Sequence, residues 1–470
     1  MKKRTKKKQP RKGASTPIFG MIVCIFLLGL TILRLNISTS GSLIESEAML
    51  SLCAAHPDGA YLEGPAGAPL LIAFKDLLFG SADSNFGFIA LRCISPLAAL
   101  LLSWCIWWIG RRMAPQDPGI ALWAAIGVNL LPTVNLSSLV MDGGMLTASM
   151  ILLAIVVAWN AVQSNGSKEF LAWMLFGTAL ALGTFFYYPI GILFPIAVTL
   201  RLILQGLKPF PWQAFLLSLL LLVLGWIPPL LWNLHHDWLQ WGSVAAGFDS
   251  IRFAGISLSL GLATALSAGL ILVLLRITSS LWWRGLLVFL ALLMTGTSAW
   301  LFLVPQDLPS GLPSPIGIRG LENLVKTIET LRAQHSDQKR EPPFLIASTP
   351  RLAALLGAHI HLNYPECLGS PSVFALESPS MNSSFSLWPS YADAVATAAK
   401  DILYSEEKFV SPFLERNALY ITTESQHELP QNITGAFTAI KLLQEIQITQ
   451  NGKSLPIRIY ECVGYQSLAL

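Results

Sequence analysis

The sequence predicts a mainly α-helical, polytopic membrane protein with about nine transmembrane helices, followed by a small extracytoplasmic α/β domain. The chain has 470 residues, of which 53% are hydrophobic and only 12% are charged. Soluble domains carry roughly twice that charged fraction. Apolar runs fill most of residues 13–304, whereas residues 305–470 have the composition of an ordinary globular sequence. We therefore expect one membrane domain and one soluble domain.

Long apolar runs define the expected membrane-spanning helices. An α-helix rises 1.5 Å per residue, so about 20 apolar residues cross the hydrocarbon core of a bilayer. The predicted spans are residues 17–36, 86–109, 119–137, 143–162, 169–186, 188–206, 212–232, 255–275 and 281–304. The first is longer than the apolar core of a typical signal peptide, and no small-x-small cleavage site follows closely, so it is predicted to remain as a membrane helix. The fifth and sixth meet at Tyr187-Tyr188-Pro189 and are predicted to be two separate helices.

The distribution of charged residues predicts a cytoplasmic N-terminus. Eight Lys and Arg residues crowd the first twelve positions, directly before an apolar helix, which favours a topology signal over a nucleic-acid-binding tail. With that orientation every predicted inner loop carries a positive charge, at Arg111-Arg112, Lys168, Arg201 with Lys208, and Arg276 with Arg284. The outer loops carry the acids Glu45, Glu47, Asp58, Glu63, Asp142, Asp237 and Asp249. An odd number of spans then places the C-terminal domain outside the cytoplasm.

The chain is therefore expected to comprise three parts: a basic tail (1–15), a membrane domain (16–304) with a long first outer loop (37–85), and a soluble domain (305–470). In the last part, helical and strand-like patterns alternate. The predicted helices are Leu321–Gln334, Arg351–Gly357 and Ala392–Leu403. The predicted strands are Phe344–Ile346, Val373–Leu376, Leu419–Thr422 and Ile457–Tyr460.

Cysteine and histidine spacing gives no indication of a metal site. Cys24, Cys93 and Cys105 lie in apolar runs and are predicted to be packing residues. Cys367 and Cys462 lie in the outer domain, where an oxidising compartment would allow a disulfide. His359 and His361 alternate on an expected strand and would share one face, but no third ligand is near in sequence.

Carboxylates at the expected outer surface are candidates for catalysis. Glu45 and Glu47 lie just outside the first span, where a lipid-linked substrate would present its head group, and a base there could take a proton from an acceptor hydroxyl. Alternatively, both side chains are solvated or cap a short helix. Asp142 stands at the outer end of a span, where an ionisable group usually faces a cavity, although it could also cap the following helix.

Cations and a polar, aromatic cluster are the other candidates. Arg92 falls inside the second span near its outer end, where a guanidinium reaches the interface, pairs with a carboxylate or holds a phosphate. Lys75 and Arg252 are predicted to be surface charges. The segment 225–238 ends a span with two prolines and several Trp residues, which are typical of the membrane interface. His236 and Asp237 in this segment could also serve a site.

Several of these segments resemble motifs of one family, the bacterial polytopic GT-C glycosyltransferases of the protein O-mannosyltransferase and aminoarabinose-transferase group. Ser46-Glu47-Ala48 stands where that family has Asp-Glu-Ala, and Tyr61-Leu62-Glu63-Gly64-Pro65 follows at the matching spacing. Met141-Asp142 resembles the second acidic position, and Trp232-Asn233 with His236-Asp237-Trp238 resembles the most specific signature. Phe385-Ser-Leu-Trp388-Pro389 is similar to a segment of the family's tail. The departures are Ser46 in place of the first-loop Asp and Gly64 in place of a His.

The resemblance implies an inverting transferase of the inner (plasma) membrane. Its donor would be a sugar on a polyprenyl phosphate, and its acceptor an envelope lipid, glycan or protein; no cofactor, metal or nucleic acid is implied. Glu47 or Glu45 would be the base and Asp142 a supporting acid. The remaining residues implied to bind substrate are Glu63, Arg92, Trp232, Asn233, His236 and Asp237.

Two other classes of function are considered. Ser46 and Gly64 also fit a catalytically impaired relative that binds a lipid-linked sugar or scaffolds an envelope assembly. A transporter usually shows paired halves and helices broken at mid-membrane. The sequence has no evident inverted repeat, and its acids cluster outside the spans, so the transporter is disfavoured.

Overall fold

The structure is a computed structural model that describes the chain in segments. These are residues 16–39, 43–80, 85–205, 212–241, 320–335, 342–360, 369–378, 383–392, 413–423, 429–450 and 453–466, with isolated positions at 264–289 and 381. The eighth and ninth predicted spans, 255–275 and 281–304, lie mostly outside the described residues. So does most of the predicted helix Ala392–Leu403. The predicted domain boundary near 305 is outside them too.

Within these segments the protein is mostly helical. The helices before the outer domain are α1 (Thr16–Thr39), α2 (Glu45–Ala55), α3 (Gly67–Phe79), α4 (Asn85–Met113), α5 (Pro118–Val128), α6 (Pro132–Ser137), α7 (Gly144–Gln163), α8 (Glu169–Thr184), α9 (Leu193–Gln205) and α10 (Trp212–His235). Among the described residues, five helices are long and apolar enough to cross a membrane: Ile18–Thr39, Phe86–Met113, Gly144–Gln163, Tyr188–Gln205 and Trp212–His235. The apolar helices α5 and α8 are shorter.

The predicted continuous span 119–137 is wrong, because the chain breaks between α5 and α6. Asn129 ends α5, and Pro132 begins α6. The break lies among apolar helices, where exposed carbonyl groups need partners. Arg34 of α1 supplies them: its Nη2 donates to the Asn129 carbonyl oxygen (3.1 Å) and to Asn135 Oδ1 (2.7 Å), and its Nη1 donates to Asn129 Oδ1 (2.8 Å). A guanidinium is also favourable at the negative end of a helix dipole.

The fifth and sixth predicted spans are separate helices, as expected. The helix α8 ends at Thr184, and a 3₁₀ turn over Tyr188–Ile192 leads into α9. The chain between them makes a close contact with the first outer loop, because the Gly67 amide donates to the Phe185 carbonyl oxygen at 2.6 Å. A β-carbon at position 67 would lie 2.5 Å from that oxygen, so only glycine fits there.

The first outer loop folds into α2, a short hairpin of β1 (Ala60–Tyr61) and β2 (Gly64–Pro65), and α3. The helix α3 exposes Phe74, Leu77 and Leu78, an apolar face suited to the membrane surface. Its Lys75 is not the predicted surface charge, because only 5% of it is exposed. The Lys75 ammonium pairs with Asp76 and donates to the Gly80 carbonyl oxygen (3.2 Å), so burial is compensated. Arg252, the other predicted surface charge, lies outside the described residues.

The described residues from 320 to 466, which we call the outer part after the expected topology, contain a five-stranded mixed sheet. Its elements are α11 (Leu321–Gln334), β3 (Phe344–Ala347), α12 (Pro350–Gly357), β4 (Phe374–Ala375), β5 (Ala418–Thr422), α13 (Gln431–Thr434), β6 (Phe437–Gln450) and β7 (Lys453–Tyr465). The strand order is β4-β3-β5-β7-β6, with β4, β3 and β5 parallel and the other pairings antiparallel. The predicted helices Leu321–Gln334 and Arg351–Gly357 and the first three predicted strands are confirmed within one residue at each end, whereas the predicted strand Ile457–Tyr460 is only the middle of the longer β7. The strand β6 was not predicted, because its Lys, Leu, Gln and Glu residues favour a helix locally.

Two further expectations for this part need correction. The strand predicted to contain His359 and His361 is wrong at His359. That residue lies in a turn after α12, and its amide donates to the Leu356 carbonyl oxygen (3.0 Å). His361 lies outside the described residues. Cys462 is a buried free thiol in β7, and burial raises its pKa to about 12. Cys367 lies outside the described residues, so the disulfide remains untested.

The first outer loop and the sheet part share one hydrophobic core. Ala48, Met49 and Cys53 of α2 belong to the same buried cluster as Leu352 of α12 and Phe385. Apolar surface removed from water in this way stabilises the contact by roughly 25 cal/mol per Å². The outer part is therefore packed directly against the loop that carries the candidate acids.

Candidate functional site

Glu47 and Arg92 form a buried ion pair. Arg92 Nη2 lies 2.9 Å from Glu47 Oε2, and neither side chain has any exposed surface. The Met141 amide donates to Glu47 Oε1 at 2.8 Å, and the Ile44 amide donates to Oε2 at 3.2 Å. Burial raises the pKa of Glu47, while the charge of Arg92 and these two amides oppose the rise. Both oxygens of this carboxylate are therefore committed to protein partners.

The same pair holds the chain that precedes Asp142. Arg92 Nη1 donates to the Leu139 carbonyl oxygen (3.3 Å), which also accepts from Ser38 Oγ (2.9 Å). Ser95 Oγ donates to the next carbonyl oxygen, that of Val140 (2.8 Å). Side chains of α1, α2 and α4 thus fix three consecutive residues, 139–141. This clamp determines where the Asp142 carboxylate stands.

Asp142 lies just before α7, and its carboxylate is partly free. Oδ1 accepts a hydrogen bond (2.8 Å) from the amide of Gly144, the first residue of α7, and Gly143 between them is the N-cap residue with φ +83°. Asp142 is therefore not the N-cap residue itself but lies one position before it. Burial, with a smaller contribution from the charge of Glu47, raises the pKa of Asp142 to about 6. A carboxylate with such a pKa is suited to accept a proton near neutral pH.

Asp142 borders a small cavity, of about 70 Å³, which we call the acid cavity. From the first turn of α2, the residue that lines it is Ser46, at the position where the resembled family has its first-loop Asp. Glu63 is the second acid of the lining. The other described lining residues are Met49, Leu50, Cys53, Tyr61, Gly64, Pro65, Ala68, Pro69, Gly143, Thr147 and Phe186. The cavity therefore combines two carboxylates and the hydroxyl-bearing residues Ser46, Tyr61 and Thr147 with apolar walls.

Glu63 connects the acid cavity to the outer part. Its Oε1 accepts from the Ser384 amide at 2.9 Å, and its Oε2 accepts from the Ser384 hydroxyl. Burial raises the pKa of Glu63, although the hydrogen bonds from Ser384 oppose the rise. Nearby, His56 stacks on Trp388 at 4.5 Å between ring centroids, and its Nε2 lies 2.9 Å from the Gly369 carbonyl oxygen. These contacts attach the first outer loop to the segment that contains Phe385–Trp388.

The signature at the end of α10 holds the hairpin rather than lining the acid cavity. Trp232 Nε1 donates to Asp58 Oδ2 at 2.9 Å. Asn233 Nδ2 donates to Gln240 Oε1 (3.1 Å), and Gln240 Nε2 donates to the Tyr61 carbonyl oxygen (2.7 Å). A β-carbon on Gly59 would meet the Pro228 carbonyl oxygen at 2.7 Å, so this approach is also close.

His236 and Asp237 lie at the rim of this arrangement. The His236 ring stacks on Trp232 at 4.2 Å, and its Nδ1 lies 2.8 Å from the Trp232 carbonyl oxygen. Asp237 is exposed and has φ +50°, and Trp238 has φ +59°, an unusual value for a bulky residue. The tight turn is closed by the Trp238 amide, which donates to the Asn233 carbonyl oxygen at 2.7 Å.

The structure thus separates the predicted site residues into groups. Asp142 and Glu63 line the acid cavity, whereas Glu47 and Arg92 are buried beside it as a pair. Glu45 is partly exposed at the start of α2, outside the described lining. Sequence reasoning missed Gln240 and Ser384, because their partners lie 179 and 321 positions away. Among the described residues, no group of three or more His, Cys, Asp or Glu could hold a metal ion.

Comparison with known proteins gives structural neighbours only. No protein-family model matches the chain, and no curated protein matches its sequence. The crystal structure of ArnT from Cupriavidus metallidurans bound to undecaprenyl phosphate is similar with 12% identity and a TM-score of 0.46. The same protein in the apo state is similar with 11% identity and a TM-score of 0.46. Each alignment covers 95% of this chain and 98% of the neighbour.

Proposed function

We propose that this protein is an inverting membrane glycosyltransferase that uses a polyprenyl-phosphate-linked sugar. The observation that supports the proposal is the placement of Asp142. Its carboxylate lines a cavity between the first outer loop and the ends of the membrane helices, and burial raises its pKa to about 6. A lipid-borne donor would present its head group at the membrane surface, where this cavity is expected to lie. A hydroxyl-bearing acceptor from the envelope would reach the same surface.

In this proposal Asp142 is the base. It takes the proton of the acceptor hydroxyl, the hydroxyl oxygen attacks the anomeric carbon, and the bond from that carbon to the phosphate oxygen breaks. The electron pair leaves with the polyprenyl phosphate, and the configuration inverts. Glu63 accepts a hydrogen bond from a sugar hydroxyl on the same cavity wall. Glu47 and Arg92 are positioning residues, because they clamp residues 139–141 and have no exposed side-chain surface.

The acid cavity must widen for a sugar to enter. Its 70 Å³ is well below the roughly 300–1,000 Å³ of typical small-molecule pockets. Glu63 lines the cavity and is hydrogen-bonded to Ser384 of the outer part, so in this proposal the Glu63–Ser384 contact separates on donor binding. Closure of such walls around a substrate excludes water from the reaction.

A second candidate is a non-catalytic protein that binds a lipid-linked sugar or scaffolds an assembly. Two observations favour it. Ser46 lines the cavity where an acid stands in the resembled family, and the described lining residues of the acid cavity include no Lys, Arg or His to stabilise a departing phosphate. The two candidates differ in whether the wild-type protein transfers a sugar at all.

Mass spectrometry of the envelope tests the choice. Glycolipids and glycoproteins from cells with the wild-type chain, without it, and with Asp142→Asn should be compared. A transferase adds one sugar mass that is absent both from cells lacking the chain and from Asp142→Asn cells, while the variant still binds undecaprenyl phosphate in nanodiscs. An identical glycan profile in all three strains would support the binding or scaffold candidate instead.

A further inference from the structure

A second, larger cavity lies in the outer part, at the carboxyl ends of β3 and β4. Its volume is about 290 Å³, close to the lower limit of small-molecule pockets. Ser348 follows β3, and residues 376–378 follow β4, so both strands end at its wall. The strand β3 comes first in the chain and lies between β4 and β5. In open α/β sheets, ligands bind outside the carboxyl ends of strands where successive strands are added on opposite sides.

Hydroxyl groups dominate the polar lining of this cavity, which we call the serine cavity. Its polar lining residues are Ser348, Ser378, Ser383, Ser386, Ser390 and Asn432. A serine hydroxyl both donates and accepts, so several of them match a ligand that carries many hydroxyl groups. Ser348 Oγ is buried and has no hydrogen-bond partner among the described residues. A buried hydroxyl in a cavity wall normally gains its partner from a ligand or a water molecule.

The charge of the serine cavity narrows the ligand class. Glu377 is the one charged side chain among its described lining residues, and it is an acid. No Lys, Arg or His is among the described lining residues, so a phosphate, sulfate or carboxylate would find no cation of the lining to pair with. The lining therefore favours a neutral ligand or one that carries an amine.

The serine cavity is connected to the acid cavity through one short segment. Ser383 lines the serine cavity, and the next residue, Ser384, binds Glu63 of the acid cavity. The 3₁₀ turn Ser384–Leu387 therefore connects the two cavities: Phe385 and Ser386 line the serine cavity, and Ser384 is bonded to Glu63 of the acid cavity. A ligand in the serine cavity would lie against the turn whose first residue, Ser384, is hydrogen-bonded to Glu63 of the acid cavity.

We propose that the serine cavity binds a neutral or amine-bearing saccharide. Its role as the saccharide part of the acceptor rests on the proposed transferase function, whereas saccharide binding itself does not. An acceptor held next to Ser383 would lie beside Ser384, whose contact with Glu63 separates on donor binding in the proposed function.

Saccharide binding is tested by saturation-transfer NMR on the full chain in nanodiscs, without any donor. The probes are maltose, an amine-bearing disaccharide of glucosamine, and a sulfated disaccharide, each at millimolar concentration. Maltose and the amine-bearing probe should bind, and the sulfated one should not. Ser386 is exposed at the cavity, so Ser386→Tyr should fill the space and weaken binding at least tenfold. Ser454→Tyr, at an exposed serine of β7 outside the lining, is the matched control.

Other results would contradict saccharide binding in the serine cavity. Equal binding by wild type and Ser386→Tyr would overturn the proposal, as would preference for the sulfated probe or binding of none of the three disaccharides. Glu377→Gln should keep maltose binding and lose any preference for the amine. Saccharide binding without sugar transfer by the wild-type chain would contradict the proposed function and leave this inference intact.

Discussion

Glu63 and Ser384 lie 321 positions apart in the sequence, yet the Ser384 amide donates to Glu63 Oε1 at 2.9 Å. The hydroxyl of the same serine binds the other carboxylate oxygen. One carboxylate of the first outer loop is thereby attached to the outer part at two points. Glu63 and Asp142 both line the acid cavity, so this contact joins the outer part to the cavity that holds the carboxylate needed by the proposed reaction.

Removal of the Ser384 hydroxyl should loosen this contact. We expect a double-mutant cycle of Glu63→Ala and Ser384→Ala, measured by thermal unfolding, to give a coupling energy of about 1.5 kcal/mol. This value is at the lower end for a hydrogen bond to a charged group because Glu63 is partly exposed. Undecaprenyl phosphate should associate faster with Ser384→Ala if the Glu63–Ser384 contact must separate before the donor can bind. Additive unfolding effects together with unchanged association would contradict the role of the contact.

The rate of sugar transfer should depend on the ionisation of Asp142. Because burial raises its pKa to about 6, the basic form is populated above that pH, and the rate should rise with pH and level off above about 6. Asp142→Asn should reduce the rate by roughly 100-fold or more. The control is Glu322→Gln in the exposed part of α11, which should retain the wild-type profile.

The neighbouring Glu47 gives an independent check on this assignment. Its charge contributes to the raised pKa of Asp142, so Glu47→Gln should move the midpoint of the pH profile to lower pH. The direction follows because one nearby negative charge no longer opposes ionisation of Asp142. A midpoint that stays fixed in Glu47→Gln, or that survives in Asp142→Asn, would assign the ionisation to another group.

The buried pair Glu47 and Arg92 should be costly to break by removing one partner. Arg92→Met leaves a buried carboxylate without its cation, and we expect unfolding to become easier by roughly 3–5 kcal/mol. The combination of Glu47→Leu with Arg92→Met should recover much of this loss, because neither charge then remains. Arg111→Met, at an exposed position of α4, should change stability by no more than about 0.5 kcal/mol. Thermal unfolding in nanodiscs measures all four proteins.

The close approach at Gly67 should not tolerate a larger side chain. Its missing β-carbon would lie 2.5 Å from the Phe185 carbonyl oxygen, so Gly67→Ala should force the hairpin away from that chain and cost about 1–3 kcal/mol. Gly29→Ala is the matched control, because no atom lies within 4 Å of the added carbon there. Similar melting temperatures for the two variants would show that the contact is absent in the membrane.

The proposed orientation can be tested by labelling of introduced cysteines. Pro57 is exposed in the first outer loop, and Asn165 is exposed between α7 and α8. A membrane-impermeant maleimide added to intact cells should label Pro57→Cys but not Asn165→Cys, and permeabilised cells should show both. The reverse pattern would place the acid cavity on the cytoplasmic side and remove the basis of the proposed function.

The candidate site could be predicted only in part from the sequence. Asp142 stands out as an acid at the expected outer end of an apolar run and Glu63 as an acid of the long first outer loop, and both line one cavity. The role of Glu47 was not predictable, because whether a carboxylate faces a cavity or a guanidinium depends on which helices are neighbours. Arg92 supplies that partner from a different helix, 2.9 Å away.

The fold, like the site, could be predicted from the sequence only in part. Hydrophobic runs and the 3.6-residue and 2-residue periods are local properties, so the sequence by itself determined the long apolar helices, the helix Leu321–Gln334 and the parallel strands β3 and β5. Tertiary contacts decided the rest. The break after Asn129 depends on Arg34 of another helix, and β6 is a strand because β7 pairs along nearly its whole length. Such partners are distant in sequence, and hydrogen bonds to them outweigh the weak local preference of the backbone.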